Sequence, residues 1–271
     1  AACATAPDRA DYPSEVASLI RYEQLRPIEP RPLRVHLAIA DMGSGLVRLE
    51  TPIVPPPRSS PASEAALADP VAIARRARSL LLVNASGFRV QGYAPGKHPL
   101  TYLPGMAVDI PGLAVHDGRE ASPANPSAAQ IWTDDTGRVD AGSGHIGESV
   151  TQAACGYSML VEAGASVAAA DPAIAARTAI GQDAEGRLLF VVVEGGDGEG
   201  SAGVTLRELA LIMQDLGSLW AINMDGGGSS VMILGFDGAQ RVVSRGEERL
   251  LGVEIPRRPI PNAVVLLRAA E

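Results

Sequence analysis

Apolar runs in this chain are short and closely punctuated, and that restricts the fold before any motif is considered. "LRVHLAIA" (33–40), "GLVRLE", "LLLVN" (80–84), "LWAIN", "VMIL" and "NAVVLL" are rich in Val, Ile and Leu and are separated by Gly, Pro, Asn or Asp. Runs of that length and composition read as strands. "RTAIGQDAEGRLLFVVVEG" (177–195) sets two of them around the turn "DAEG" and predicts a hairpin. Its second strand is continuously apolar and belongs in the middle of a sheet. Two segments are helical instead. Asp69 with Pro70 supplies an N-cap and a first helical residue for a helix to about Ser79. Thr205 and Glu208 form a capping box, and Leu206, Leu209, Ala210, Met213 and Leu216 recur at helical spacing before Gly217, which can close the helix in a left-handed conformation.

Strands that both alternate with helices and pair as hairpins predict an α+β fold: a mixed, largely antiparallel β-sheet with a few packed helices. Residues 1–32, polar and proline-punctuated, read as an extended N-terminal arm, and 33–271 as a single domain. "TPIVPPPRSSPAS" must be a surface connection, because proline cannot serve a sheet interior. Between 85 and 150, pieces such as "MAVDI", "LAVHDG" and "QIWTDDTG" suggest brief strands among long loops.

Composition excludes several function classes. A chain of 271 residues that is 46% hydrophobic can bury a large core. Its net charge of −8, with no basic run interleaved with aromatics, argues against nucleic acid, and an anionic substrate would need local positive charge. No stretch of about eighteen apolar residues is present to form a transmembrane helix. Cys3 and Cys155 lack metal-type spacing and read as free thiols or as one disulfide. Cys3, in "AAC", also suits the lipidated residue of a lipoprotein, so the expected setting is extracytoplasmic: secreted, periplasmic or lipid-anchored. The four histidines show no ligand spacing, and His145 in "GSGHIG" is the one that could line a cleft. Asp197 and Glu199 read as a solvated acidic loop. No resident metal or cofactor is expected, although a divalent cation is left open.

One stretch concentrates chemistry. "NMDGGGSSVM" (223–232) places a carboxylate, three glycines and two hydroxyls between two apolar runs. Gly226, Gly227 and Gly228 would allow close approach to the main chain, and their N–H groups could converge on an anion as a nest, with Ser229 and Ser230 adding donors. A tight turn between strands is the plainer alternative. Asp225, at the end of a buried strand, would be partly desolvated and suits acid or base work. The succession of helix, strand, polar residue and glycine occurs twice, around Asn84 and around Asn223–Gly228, so the two strand ends could face one cleft. Asn84 would then bond a sugar hydroxyl or a water, and Asn223 belongs with the same binding group. Arg177 and Thr178 open the central hairpin, where an arginine fork can grip phosphate. Glu194 ends that hairpin and is the second candidate carboxylate.

Together "ACGYSMLVEAG", "ARTAIGQDAEGRLLFVVVEG", "GVTLRELALIMQDLGSLWAINMDGGGSSVM" and "RPIPNAVVLL" resemble consecutive blocks of the phosphodiester glycosidase family, and "LLLVNASGF" resembles another more loosely. The resemblance covers about 155–267. It implies hydrolysis of a sugar 1-phosphodiester to free sugar and phosphomonoester, on extracellular or cell-envelope glycan. Asp225 and Glu194 would be the catalytic pair, and Glu194 stands where the family has Asp. Two other functions fit the same residues: a noncatalytic phosphoglycan-binding module, and a metal-dependent phosphodiesterase cutting the P–O bond.

Overall fold

The computed structural model describes residues 18–27, 31–94, 97–144, 147, 149–196, 200–236, 239–244, 249–250, 253–254 and 257–269. Cys3, His145, Asp197 and Glu199 lie outside them.

A seven-stranded sheet runs β1 (Ile20–Leu25), β2 (Val35–Asp41), β16 (Arg187–Val193), β15 (Arg177–Asp183), β17 (Ser218–Asn223), β13 (Ser158–Glu162), β14 (Ala165–Ser166). A five-stranded sheet faces it in the order β19 (Ala239–Val242), β18 (Met232–Phe236), β5 (Leu81–Asn84), β22 (Ala263–Arg268), β3 (Val47–Glu50). A second five-stranded sheet is built from β11 (Val139–Ser143), β10 (Ala129–Asp134), β12 (Val150–Cys155), β8 (Ala114–His116) and β9 (Arg119–Ser122). β4 (Ala65–Ala66), β7 (Ala107–Asp109) and β6 (Arg89–Val90) form a small sheet, and β20 (Arg249–Leu250) pairs with β21 (Val253–Glu254). All ladders between these strands are antiparallel, so the α+β expectation holds without the parallel component a mixed sheet would contain.

Alternation along the central strands explains why they read as unbroken apolar runs. Leu188, Phe190 and Val192 enter the core shared with β5, β18 and β22, whereas Leu189, Val191 and Val193 pack under the helix α2 (Leu206–Asp215). In β5, Leu81 and Val83 face that same shared core while Leu82 faces α1 (Pro70–Ala77). Each such side chain contributes about 1.5–3 kcal/mol relative to exposure. The layers are therefore helix, sheet, sheet, helix, with residues of the third sheet (Ala129, Ile131, Ala154) closing the shared core.

Both helix starts follow the sequence: Asp69 accepts from Val71 N at 2.9 Å, and Thr205 and Glu208 form the reciprocal capping box. Gly217 takes φ +86° just beyond α2. Within the extended N-terminal arm, Ile20–Leu25 pairs with β2 along its full length and buries Ile20. Only one of the six residues in "IRYEQL" is fully buried, too weak a pattern to read as a strand.

Candidate active site

The C-terminal ends of β5 and β17 belong to different sheets, yet they meet. Asn84 joins them: its Nδ2 donates to Asp225 O at 2.7 Å, and its Oδ1 accepts from Thr178 Oγ1 at 2.7 Å and Val231 N at 3.0 Å. Asp225 N returns a bond to Ala85 O at 2.9 Å. An amide oxygen has two lone pairs, and both are used here, so its carbonyl end cannot also receive a sugar hydroxyl. Asn84 is a strut holding the acid in place, and Thr178, fully buried against it, is part of that strut.

The glycine turn folds back on the chain. Gly226 N donates to Asp225 Oδ1 at 3.0 Å, Gly227 N to Ala176 O at 2.8 Å, Ser229 N to Gly226 O and Ser230 N to Gly227 O, closing a single 3₁₀ turn. Two N–H groups of the expected nest, those of Gly226 and Gly227, therefore bond within the chain. Glycine is required twice: a Cβ at Gly226 would lie 2.9 Å from Ala176 O, and Gly227 adopts φ +57°. Buried Ser229 Oγ, Ser230 Oγ and Asn223 Oδ1 have no aligned partner among the described residues. The Ser229 hydroxyl lies near Asp225 and acts on its carboxylate.

Asp225 keeps some exposure, but protein atoms crowd its carboxylate, and that burial pushes its pKa up. The nearby Ser229 hydroxyl, the Arg258 charge, the Gly226 N–H and the Tyr157 hydroxyl act in the opposite direction without overcoming it. Tyr157 OH donates to Asp225 Oδ1 at 3.3 Å. Although the tyrosine is about half exposed (48%), its hydroxyl end is enclosed, and burial followed by the Asp225 charge pushes its pKa well above the ordinary tyrosine value. A Cβ on Gly87 would collide with that hydroxyl, which explains the glycine in "NASGF". Below them, Ser86 N donates to Asn262 Oδ1 at 3.0 Å and Asn262 Nδ2 to Ser86 Oγ at 2.9 Å. Cys155 is a buried free thiol whose pKa is raised to about 11 by burial. The Arg258 guanidinium lies 4.4 Å from the centre of the Tyr102 ring, which meets Phe88 edge-on at 5.5 Å.

Arg177 and Asn223 point elsewhere. Alternation along β15 puts Arg177 on the face opposite Thr178, and its guanidinium donates to Val204 O (3.3 Å) and Ala173 O (2.8 Å), 3.7 Å from Asp171. Its stem approaches Gly226, while Nε and Nη2 are engaged by backbone carbonyls. Asn223 pairs with Ala179, on that same lower face. Glu194 ends β16 almost fully buried, held by Arg34 at 3.0 Å and by His36 Nε2 at 2.8 Å, while His36 Nδ1 contacts Tyr22 OH at 2.8 Å. Tyr157, Arg258, Tyr102 and Asn262 were not anticipated as site residues, although "ACGY" and "RPIPN" contain three of them. No group of three or more His, Cys, Asp or Glu is arranged to hold a metal among the described residues.

The site is thus an acid-bearing glycine turn at the junction of the two sheets of an antiparallel sandwich. The phosphodiester glycosidase family profile matches residues 82–267, more than half of the chain, and the chain belongs to that family. A search of curated proteins gave no match. Among solved structures, the catalytic domain of zebrafish N-acetylglucosamine-1-phosphodiester alpha-N-acetylglucosaminidase, auto-inhibited by its pro-peptide, is similar at TM-score 0.61 and 20% identity, over 91% of this chain and 81% of that one. A hypothetical protein from Synechocystis is similar at TM-score 0.64 and 15% identity, over 93% of this chain. This chain spans 62% of that protein, less than two thirds of its length. A protein of Burkholderia pseudomallei K96243 is similar at 0.57 and 17%, over 87% and 74%. At these identities the likeness is one of fold.

Proposed function

We propose that this protein hydrolyses a sugar 1-phosphodiester to the free sugar and a phosphomonoester. The observation that carries the reading is Asp225, a carboxylate at the rim of a strand junction whose pKa is raised by burial while Tyr157 and Gly226 N hold its orientation. Water attacks the anomeric carbon, the bond from that carbon to the phosphate oxygen breaks, and the phosphomonoester leaves with the electron pair. Asp225 takes the proton from water, and an elevated pKa makes it a stronger base than an exposed aspartate. A phosphate departs as a stable anion and needs less protonation than an alkoxide. Glu194 acts as a positioning residue in this scheme, locked between Arg34 and His36.

Family membership supports this class of substrate, and the name of the zebrafish relative makes an N-acetylglucosamine 1-phosphodiester the first compound to test. Polymers that display sugar phosphodiesters on extracellular or cell-envelope glycan are the proposed natural partners. The test is hydrolysis in oxygen-18 water, with and without chelator. Label in the sugar hydroxyl is expected in both cases. Label in the phosphate would assign P–O cleavage, and binding without turnover would assign a phosphoglycan-binding module; either overturns the proposal.

A further inference from the structure

The face of the third sheet turned away from the shared core carries a tryptophan that the fold does not use up. Along β10, Ala129 and Ile131 enter that core, so Trp132 and Asp134 belong to opposite positions of the pleat from Ile131 and share the outer face. Asp140 on β11 and Ala153 on β12 are the cross-strand partners of Trp132, which places them on the outer face too. Trp132 packs on Leu113, Val115 and Ala153 and stays half-buried. Its Cη2 end reaches Gly142, where an added Cβ would lie 3.6 Å away. Trp220, the other tryptophan, donates its indole N–H to Gln182 Oε1 at 3.2 Å, whereas the Trp132 ring makes no hydrogen bond among the described residues. An indole with a packed base and a free N–H is an amphipathic body of the kind found at recognition surfaces.

Trp132 lines an open cleft of about 250 Å³ together with Asp134, Arg138, Asp140, Ser149 and Val150. The polar groups of the cleft are held by their neighbours. Asp134 Oδ1 accepts from the Thr136 hydroxyl at 2.6 Å, from Thr136 N at 2.9 Å and from Arg138 N at 3.0 Å. The Thr136 hydroxyl above all keeps that carboxyl below the ordinary aspartate range. Asp140 Oδ1 accepts from Ala141 N at 2.9 Å, and its Oδ2 accepts from Arg138 Nη2 at 3.3 Å. Carboxylate acceptors and a guanidinium donor beside an aromatic ring answer a molecule whose polar groups both donate and accept and whose carbon skeleton offers an apolar face. A pyranose is such a molecule. A quaternary ammonium would gain from the ring and the acids but would be opposed by Arg138. The volume falls below the range of drug-sized sites, about 300–1,000 Å³, and suits a single ring.

We propose that the Trp132 cleft is a second, noncatalytic glycan-binding site, in which one pyranose unit stacks on Trp132 while Asp140 and Arg138 take its hydroxyls. Trp132 lies about 10 Å along β10 from Ala129, whose carbonyl accepts from Gly156 N next to Tyr157. The use of this site in hydrolysis, holding a polymer whose diester meets Asp225, rests on the function proposed above; the binding itself does not.

The experiment titrates cellohexaose, chitohexaose and maltohexaose into wild type by calorimetry and into Trp220→Phe by fluorescence, where Trp132 is the only tryptophan left. Saturable binding of at least one hexasaccharide is expected, with a change in Trp132 emission. Trp132→Ala should weaken that binding about tenfold, Trp132→Phe less, and Asp140→Ala about fivefold. Trp132→Phe and Asp140→Ala carry the comparison if Trp132→Ala fails to fold. Binding of none of the three sugars by wild type, binding that leaves Trp132 emission unmoved, or undiminished affinity in the folded variants overturns the assignment. Tetramethylammonium bound more tightly than any hexasaccharide overturns it as well, in favour of a cation site. Turnover of a soluble N-acetylglucosamine 1-phosphodiester should be unchanged in Trp132→Ala. If wild type hydrolyses no diester, the proposed function fails while the binding result still decides the role of the cleft.

Discussion

Asp225 and Glu194 are both acids at the ends of strands in one sheet, and their surroundings could hardly differ more. Glu194 is gripped by Arg34 at 3.0 Å and His36 at 2.8 Å, with Tyr22 behind the imidazole. Asp225 has neutral donors at Tyr157 and Gly226, and one cation acting from beyond Tyr102. An acid fixed by direct ion pairs holds structure, whereas an acid in a crowded setting with soft partners can exchange a proton during a reaction. Burial alone does not identify the reacting group; the partners decide.

Asp225→Asn is the sharpest way to break this contrast, because it keeps the shape and removes the base. Turnover should fall about 1,000-fold while N-acetylglucosamine 1-phosphate still binds, read by steady-state kinetics and calorimetry. Glu194→Gln should instead cost about 3 kcal/mol in urea unfolding, since it removes the buried carboxylate charge that pairs with Arg34 and that His36 Nε2 contacts. The activity of its folded fraction should stay within about tenfold of wild type. A kinetic loss as deep as that of Asp225→Asn would make Glu194 a second reacting carboxylate. Tyr157→Phe should lower kcat about tenfold and move the acid limb of the pH–rate profile upward. The sign follows from the hydroxyl, which favours the carboxylate form of Asp225 and whose removal lets that pKa rise further. The smallest effect is on stability. Because the folded pKa of Asp225 exceeds its ordinary 3.8, the stabilising contribution of its protonated form is complete below that value and is lost as pH rises through the folded pKa. Asp225→Asn should therefore melt above wild type at pH 7, with the difference shrinking toward pH 3.

Much of this was legible because it is local. Asp69–Pro70, the Thr205–Glu208 box and the "DAEG" hairpin each specify an element through neighbouring residues. The doubled strand-to-glycine pattern also led to the right junction, since Asn84 does meet Asp225. What stayed hidden depends on register and distance. Thr178 and Arg177 are adjacent, so one facing Asn84 turns the other away, and the parity of the strand could have separated them. Tyr157 and Arg258 lie far from Asp225 along the chain, and nothing local announces contacts that only strand order creates.

The amide of Asn84 has a wider consequence. One side chain clamps a strand from each of two sheets and the turn that bears Asp225. Those bonds run to Asp225, Thr178 and Val231, and Phe88 and Tyr102 take no part in them. On the proposed function, a lineage built on this scaffold could change which sugar it admits while its chemistry stays the same.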